Sequence, residues 1–133
     1  RQPLVPAGPV RPDGTADEAA GRVAAALGDT GISPKPPGTG RVNLHAEAAG
    51  VFTVDKALID ALNRIDPAVT IATVSDHATV EAGQMVATVK IIPFAVPAGV
   101  LGTVEHLAKG RPAFDVHPFA ARRVGLIQTV LPR

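Results

Sequence analysis

Three polar residues in two strand-like segments are candidates for binding a ligand. Arg41 and Asn43 stand two residues apart in a segment that alternates polar and apolar residues, so both side chains are expected on the same side of a half-buried strand. Lys90 interrupts the most apolar strand-like run, residues 85–92. A lysine there lies either on the solvated face or in a binding site. Arg41 and Asn43 could therefore contact the same ligand, whereas Asn43 alone would equally fit a turn or bulge.

Charge is distributed unevenly along the chain. The formal net charge of the 133 residues is only +1, so no global field draws the protein to nucleic acid. Residues 82–133 nevertheless hold six basic and two acidic residues, whereas residues 1–81 hold seven basic and ten acidic ones. The C-terminal part therefore either offers a surface to an anion or is an ordinary solvated face.

The histidines give a weaker signal. They are spread along the chain, at His45, His77, His106 and His117, with no two at the i, i+2 or i, i+4 spacing of metal ligands. His77 follows Asp76, and His117 is two residues from Asp115, so a dispersed His/Asp active site is one hypothesis. Histidines at the surface or at the edge of the core are the other. We assign no catalytic residue and no metal ligand.

The elements that must position these residues fall into three segments. Residues 1–14 have a proline at every third position, which is typical of an extended tail or linker. Residues 15–39 are predicted as a short helix, begun by the capping box Thr15–Glu18 and ended near Gly28, and a loop. The loop is predicted over residues 29–40, which hold three prolines and three glycines. The third segment, residues 40–133, is predicted as a β-rich accessory domain.

Periodicity within this third segment predicts its fold class. Strands are expected over 41–45, 51–54, 69–74, 85–92, 114–117 and 124–130, and helices are expected to begin at Asp55 and Pro97. Helices and strands do not alternate as a doubly wound sheet requires. The sequence therefore predicts an α+β fold, a compact β-rich domain, barrel-like or sandwich-like, of short strands with two or three helices.

Composition excludes several functions. The chain has no Cys, which removes disulfides, thiolate catalysis and thiolate metal sites. It has no Trp or Tyr and four Phe, so bases have few aromatic side chains on which to stack, and no nucleic-acid partner is expected. No apolar run reaches the length of a membrane span, so we expect no membrane partner. We expect a cytoplasmic location. Because the chain starts with neither Met nor a signal peptide, we expect a piece of a longer protein.

Several segments resemble a known family. They are residues 39–44 (TGRVNL), residues 47–50 (EAAG) and, most specifically, residues 80–96 (VEAGQMVATVKIIPFAV). Together they resemble the N-terminal region of bacterial molybdopterin-binding proteins related to molybdenum-cofactor biosynthesis enzymes. Residues 124–132 are similar to the segment that leads into the second domain of that family. The resemblance covers most of residues 15–132.

The resemblance implies a function. The chain would be an accessory domain of a molybdopterin-binding protein in molybdenum-cofactor biosynthesis or handling, which positions the pterin cofactor or mediates dimerisation. The implied cofactor is molybdopterin, with no metal bound directly. The implied partners are a pterin-binding α/β domain, C-terminal to this chain or in a partner, and a second copy in a homodimer. The family's catalytic residues have no counterpart in this region, so the chain is not expected to be catalytic on its own.

The residues that match the family's pattern define the predicted cofactor site. They are Gly40, Arg41, Asn43, Gly83 and Lys90, of which Arg41 and Lys90 would pair with phosphate and Asn43 would form hydrogen bonds. The two glycines either belong to the site or only shape turns. The alternative function is a non-catalytic protein-interaction module without pterin contact, docking through an exposed strand edge at residues 85–92. An enzyme with a dispersed site at His77 and His117 is a third hypothesis.

Overall fold

The computed structural model describes residues 14–132. This range contains three helices and eight strands, in the order α1 (Gly14–Ala26), β1 (Gly28–Thr30), β2 (Ile32–Pro34), β3 (Arg41–Ala46), β4 (Gly50–Val54), α2 (Lys56–Asn63), β5 (Val69–Thr73), β6 (Thr79–Val80), β7 (Met85–Ile91), α3 (Ala98–Ala108) and β8 (Pro112–Pro118). The predicted tail at residues 1–13 lies outside the described residues.

The strands form two four-stranded sheets. Sheet I has the order β2-β3-β7-β5 and is antiparallel throughout. Sheet II has the order β1-β8-β4-β6, with only the β1–β8 pair parallel. The sheets do not join into a closed barrel. The predicted α+β class, a compact domain of short strands with three helices, is therefore confirmed.

Local sequence explains where two of the helices begin. The Asp55 carboxylate accepts a hydrogen bond from the backbone N–H of Leu58 at 3.0 Å, which caps α2 as predicted. Pro97 precedes α3, where its fixed φ suits the entry to a helix. The Lys56 ammonium pairs with Asp60 one turn further along α2, at 2.8 Å.

A single hydrophobic core joins both sheets and all three helices. α1 contributes small residues to it, among them Ala19, Ala20 and Val23, which let the helix lie close to β3 and β7. Phe52 of β4 and Phe114 of β8 stack within it, with ring centroids 6.0 Å apart. The loop predicted over residues 29–40 contains β1 and β2 instead, because these short segments pair with β8 and β3. Residues 16–34 thus pack into the same core as residues 40–116.

The strand predicted over residues 124–130 is not formed. Residues 119–132, the C-terminal arm, are exposed and have no helix or strand. The backbone N–H of Phe119 still bonds to the carbonyl of Ala49. Beyond it, β-prone residues such as Ile127 find no strand with which to pair within the described range, and a strand needs such a partner for its backbone groups.

The docking edge predicted at residues 85–92 is wrong. β7 lies in the middle of sheet I, hydrogen-bonded to β3 on one side and to β5 on the other. Val86 and Val89 are buried. A strand with two neighbours has no free backbone groups to offer a partner, so a charge at Val86 or Val89 would disrupt the core rather than an interface.

Across residues 14–132, no helix is both long enough and apolar enough to cross a bilayer. The longest, α1, has 13 residues, whereas a span needs about 20.

Candidate functional site

Sheet I brings three of the predicted site residues onto one exposed face. Register places Arg41 of β3 opposite Lys90 of β7, and Lys90 opposite Thr70 of β5. The next row outward along the same face runs from Asn43 through Thr88 to Ala72. Residues opposite one another in a sheet share a face. We call the surface formed by Arg41, Asn43, Thr70, Thr88 and Lys90 the Arg41–Lys90 face.

The two cations stand in the closest kind of cross-strand pair. The backbone N–H of Ile91 donates to the carbonyl of Gly40 at 2.7 Å, so a bond between the two strands flanks the Arg41–Lys90 pair. A pair flanked in this way in an antiparallel ladder is non-hydrogen-bonded, with Cα atoms typically about 4.5 Å apart. Like charges directly opposite one another destabilise a sheet.

Among the side chains that the structure describes, no ion pair with an acidic residue relieves this repulsion. The ion pairs formed among them involve Arg22 with Glu105, Lys56 with Asp60, His77 with Asp76, and Arg111 with Asp55. Neither Arg41 nor Lys90 takes part in them. Both residues are exposed, so the face presents two positive charges to solvent.

Asn43 is oriented by its neighbour across the sheet. The Thr88 hydroxyl donates to Oδ1 of Asn43 at 2.9 Å and lies 3.4 Å from the carbonyl of Val42. Both side chains are half-buried. Because the amide oxygen of Asn43 is engaged, its Nδ2 group remains as a donor beside the two cations.

Gly40 serves to position Arg41. Its backbone N–H donates to Oδ1 of Asp17 at 2.6 Å, and its carbonyl accepts from Ile91, so both of its backbone groups are already bonded. Its φ is +70°, and a Cβ there would lie 2.9 Å from the Ile91 carbonyl oxygen. Only glycine fits this turn without strain. Gly40 thereby ties the start of β3 to α1 and β7.

Gly83 lies apart from the other predicted site residues. It sits in the turn between β6 and β7 with φ +82°. Its N–H donates to the Ala46 carbonyl, and its own carbonyl lies 2.9 Å from Nδ1 of His45. That is the far end of β3, about 16 Å from Arg41 for five residues of strand. The structure therefore does not bring Gly83 to the Arg41–Lys90 face.

Sequence reasoning missed Thr88 and Thr70. Thr88 could have been predicted from the sequence, because a residue two positions before Lys90 in a strand lies on the same face. Thr70 could not, since its place beside Lys90 depends on the register between β5 and β7, which the sequence does not show.

The exposed face of sheet II and the adjoining loop between β5 and β6 hold the other group of polar side chains. Thr53 of β4 lies opposite Asp115 of β8, and its hydroxyl oxygen is 3.0 Å from Nε2 of His117. Asp76 accepts from the backbone N–H of Val54 at 3.0 Å and pairs with the imidazole of His77 at 3.3 Å. We call Thr53, Asp76, His77, Asp115 and His117 the Thr53–His117 face.

This second face does not form the dispersed active site considered from the sequence. His77 and His117 make separate contacts, His77 with a carboxylate and His117 with a hydroxyl. Among the hydrogen bonds of the described residues, none joins Asp115 to His117, so no third group orients the imidazole as a nucleophile–base pair requires. No three His, Cys, Asp or Glu side chains in that part of the chain are grouped to hold a metal ion.

The pKa of Asp55 is lowered by its hydrogen bonds. The hydrogen bond from the Leu58 backbone and then the hydrogen bond from Arg111 hold the pKa of Asp55 below its ordinary value of 3.8. The Arg111 guanidinium lies 3.0 Å from Oδ2 of Asp55. This group stabilises the junction of α2 and β8 and lies away from the Arg41–Lys90 face.

The fold and the site define a small α+β domain with an open face that carries two unpaired cations. Comparison of the chain with protein-family models, with curated proteins and with solved structures gives no match. The family resemblance in the sequence thus stays a prediction, and the site must be interpreted from its own geometry.

Proposed function

We propose that this chain is a cytoplasmic accessory domain of a molybdopterin-binding protein, acting in molybdenum-cofactor biosynthesis or handling, and that it positions the cofactor through its phosphate. The observation that carries this proposal is the placement of Arg41 opposite Lys90 with no acidic partner in the described range. A phosphate bound between them would replace repulsion by attraction. The resemblance of residues 80–96 to that family supplies the identity of the anion.

The chemistry of the face fits the tail of the cofactor better than its ring. Arg41, Lys90 and the Nδ2 group of Asn43 are all donors, which suits phosphate oxygens. The face is open, however, and a groove of about 520 Å³ lies elsewhere, between α1 and residues 34–37. We therefore propose that the pterin ring is held by a partner α/β domain, in the same protein or in another.

The residues of the face would bind and orient, and Gly40 and Thr88 would hold two of them in place. The pterin itself would supply the metal ligands. We assign no catalytic role to the chain, and a homodimer would place two such faces in one assembly.

The test is a titration of the chain with molybdopterin, followed by the fluorescence of the pterin. The protein has no Trp or Tyr, so it contributes almost no background. Saturable binding that weakens with added salt and is lost in Arg41→Gln and Lys90→Gln supports the proposal. The matched control is Lys56→Gln, which removes one exposed positive charge from α2, outside the face. Absence of binding, or equal loss in the control, would contradict it.

A second candidate function is a non-catalytic protein-interaction module without pterin contact. The C-terminal arm favours it, since large aliphatic side chains at Val124, Leu126, Ile127, Val130 and Leu131 are 84–90% exposed. Apolar side chains grouped in this way mark interaction segments. Sedimentation analysis of the protein and of Leu126→Asp/Ile127→Asp tests it: an assembly that the double variant abolishes, with no molybdopterin binding by either, would favour this function.

A further inference from the structure

Three side chains of the Arg41–Lys90 face, those of Arg41, Asn43 and Lys90, present only hydrogen-bond donors to solvent, and this restricts the kind of anion that they can hold. The Thr70 hydroxyl beside Lys90 can donate as well as accept. Arg41 and Lys90 carry one full positive charge each and accept no hydrogen bond. Asn43 would normally present both a donor and an acceptor. Because Thr88 donates to its Oδ1, the amide presents only its Nδ2 group to the face.

We infer that this face selects a doubly ionised terminal phosphate monoester over a phosphate diester or a carboxylate, with Thr88 acting as the positioning residue that leaves Asn43, beside Arg41 and Lys90, with only its donor group free. This inference rests on the proposed function, since it names the chemical class of ligand group for the same site.

Charge and geometry both point to a dianion. Arg41 and Lys90 stand directly opposite one another, so one tetrahedral group above the pair meets both. A terminal phosphate monoester has a second pKa of about 6 and carries close to two negative charges at neutral pH. A diester or a carboxylate carries one, and leaves one of the two cations without a counter-charge. A terminal monoester also has three unsubstituted oxygens, one for each of the side chains Arg41, Asn43 and Lys90.

The face is open and provides no steric selection between ligands. The face is exposed at Arg41, Lys90 and Thr70 and half-buried at Asn43 and Thr88. An open sheet surface does not enclose a chain that continues on both sides of a phosphate, and no wall there would select a diester. Discrimination must therefore come from charge and donor count.

The experiment uses simple probes and the whole chain. Isotope-labelled protein is titrated at pH 7.5 with methyl phosphate, dimethyl phosphate and acetate, and the backbone amide resonances are followed by NMR. We expect saturable shifts at residues 40–43 and 88–91 with methyl phosphate, and at least about threefold weaker binding of the two singly charged probes, since each exposed ion pair adds only modestly. Arg41→Gln and Lys90→Gln should each bring methyl phosphate to the level of the diester.

The role of Thr88 needs its own variant. Thr88→Val frees the amide of Asn43 to turn its oxygen toward the face, so we expect the preference for the monoester to fall while the amide spectrum elsewhere is unchanged. Thr88→Ser keeps the hydroxyl and should restore the preference. A merely structural role for Thr88 would lower stability in both variants without changing the ratio between monoester and diester.

The outcomes separate this inference from the proposed function. Equal binding of methyl phosphate and dimethyl phosphate, or shifts outside residues 40–43 and 88–91, would overturn the inference. Binding of methyl phosphate without any binding of molybdopterin would leave the inference standing and remove the pterin function. Binding of molybdopterin that excess methyl phosphate does not displace would keep the pterin function and overturn the inference. Lys56→Gln should match the unmodified chain in every titration.

Discussion

The polar side chains on the exposed faces of the two sheets differ in whether they have partners within the protein. On the Thr53–His117 face four of the five side chains have a protein partner: Thr53 meets His117, and Asp76 meets both the Val54 backbone and His77. On the Arg41–Lys90 face two like charges stand opposite one another and have no acidic partner among the described side chains.

This difference indicates which face would bind a ligand more favourably. A face whose polar groups are bonded to one another offers little to an incoming molecule, because binding must first break existing contacts. A face that keeps an unfavourable pair gains stability when an anion arrives. Departures from local stability rules of this kind are expected at functional sites, which is why the Arg41–Lys90 face is the candidate site and the Thr53–His117 face is not.

The largest expected effect concerns the core behind the Thr53–His117 face. Phe114→Ala removes one ring of the buried Phe52–Phe114 stack and should lower the free energy of unfolding by about 3–5 kcal/mol, measured by urea denaturation. Phe94, which is 70% exposed, is the matched control, and Phe94→Ala should change stability by less than about 0.5 kcal/mol. Similar losses in the two variants would contradict this description of the core.

The edge of sheet I should be the next most sensitive position. The Asn63 side chain donates to the Ile71 carbonyl at 2.9 Å and accepts from the Ile71 N–H at 2.8 Å, so it occupies the place of a further strand along β5. Asn63→Leu leaves both backbone groups unpaired, and should cost about 1–3 kcal/mol and promote self-association through the open edge. Asn63→Asp keeps only the acceptor and should lie between the two. A monomeric, fully stable Asn63→Leu protein would show that this edge is protected in another way.

Replacing two arginines compares the contribution to stability of a paired charge with that of an unpaired one. Arg111 pairs with Asp55 and Arg41 pairs with no acid of the described chain. Asp55→Ala removes the α2 cap and should cost about 1 kcal/mol, and Arg111→Ala should also destabilise, whereas Arg41→Ala should not. Asp55→Asn keeps a capping side chain and separates the cap from the charge.

The Asp55–Arg111 pair determines how the stability of the protein changes with pH. Because the pKa of Asp55 is lowered in the folded protein, its contribution is complete above the pKa of the unfolded chain and is lost as the pH falls through the folded value. Denaturation between pH 5 and pH 2 should show a steeper loss in the unmodified chain than in Asp55→Asn. Parallel curves would contradict the assignment.

The smallest effect is expected at the candidate site. Lys90→Gln removes one of two repelling charges and should leave stability unchanged or raise it by up to about 1 kcal/mol. Lys56→Gln removes an exposed charge that has a partner, and should lower stability by about 0.3–0.5 kcal/mol. Thermal unfolding of the two variants side by side distinguishes these signs. A clear loss of stability in Lys90→Gln would mean that Lys90 is a structural residue.

Much of this fold follows from local patterns. The alternation over residues 41–45 placed Arg41 and Asn43 on one face, and Asp55 predicted the start of α2. The register that sets Lys90 against Arg41 joins strands far apart in the chain, and no local pattern shows it. The same limit explains the error at residues 85–92, since an apolar run reads alike at the edge and at the centre of a sheet. Residues 124–130 have the composition of a strand, yet a strand forms only against a partner.

The most direct test of the account is the set of amide resonances that move when molybdopterin is added to the isotope-labelled chain. The account predicts saturable changes centred on residues 40–43 and 88–91. They should disappear in the Arg41→Gln/Lys90→Gln double variant and persist in Lys56→Gln. Changes centred on Thr53 and His117, or no saturable change at all, would contradict the assignment of the cofactor's phosphate to the Arg41–Lys90 face.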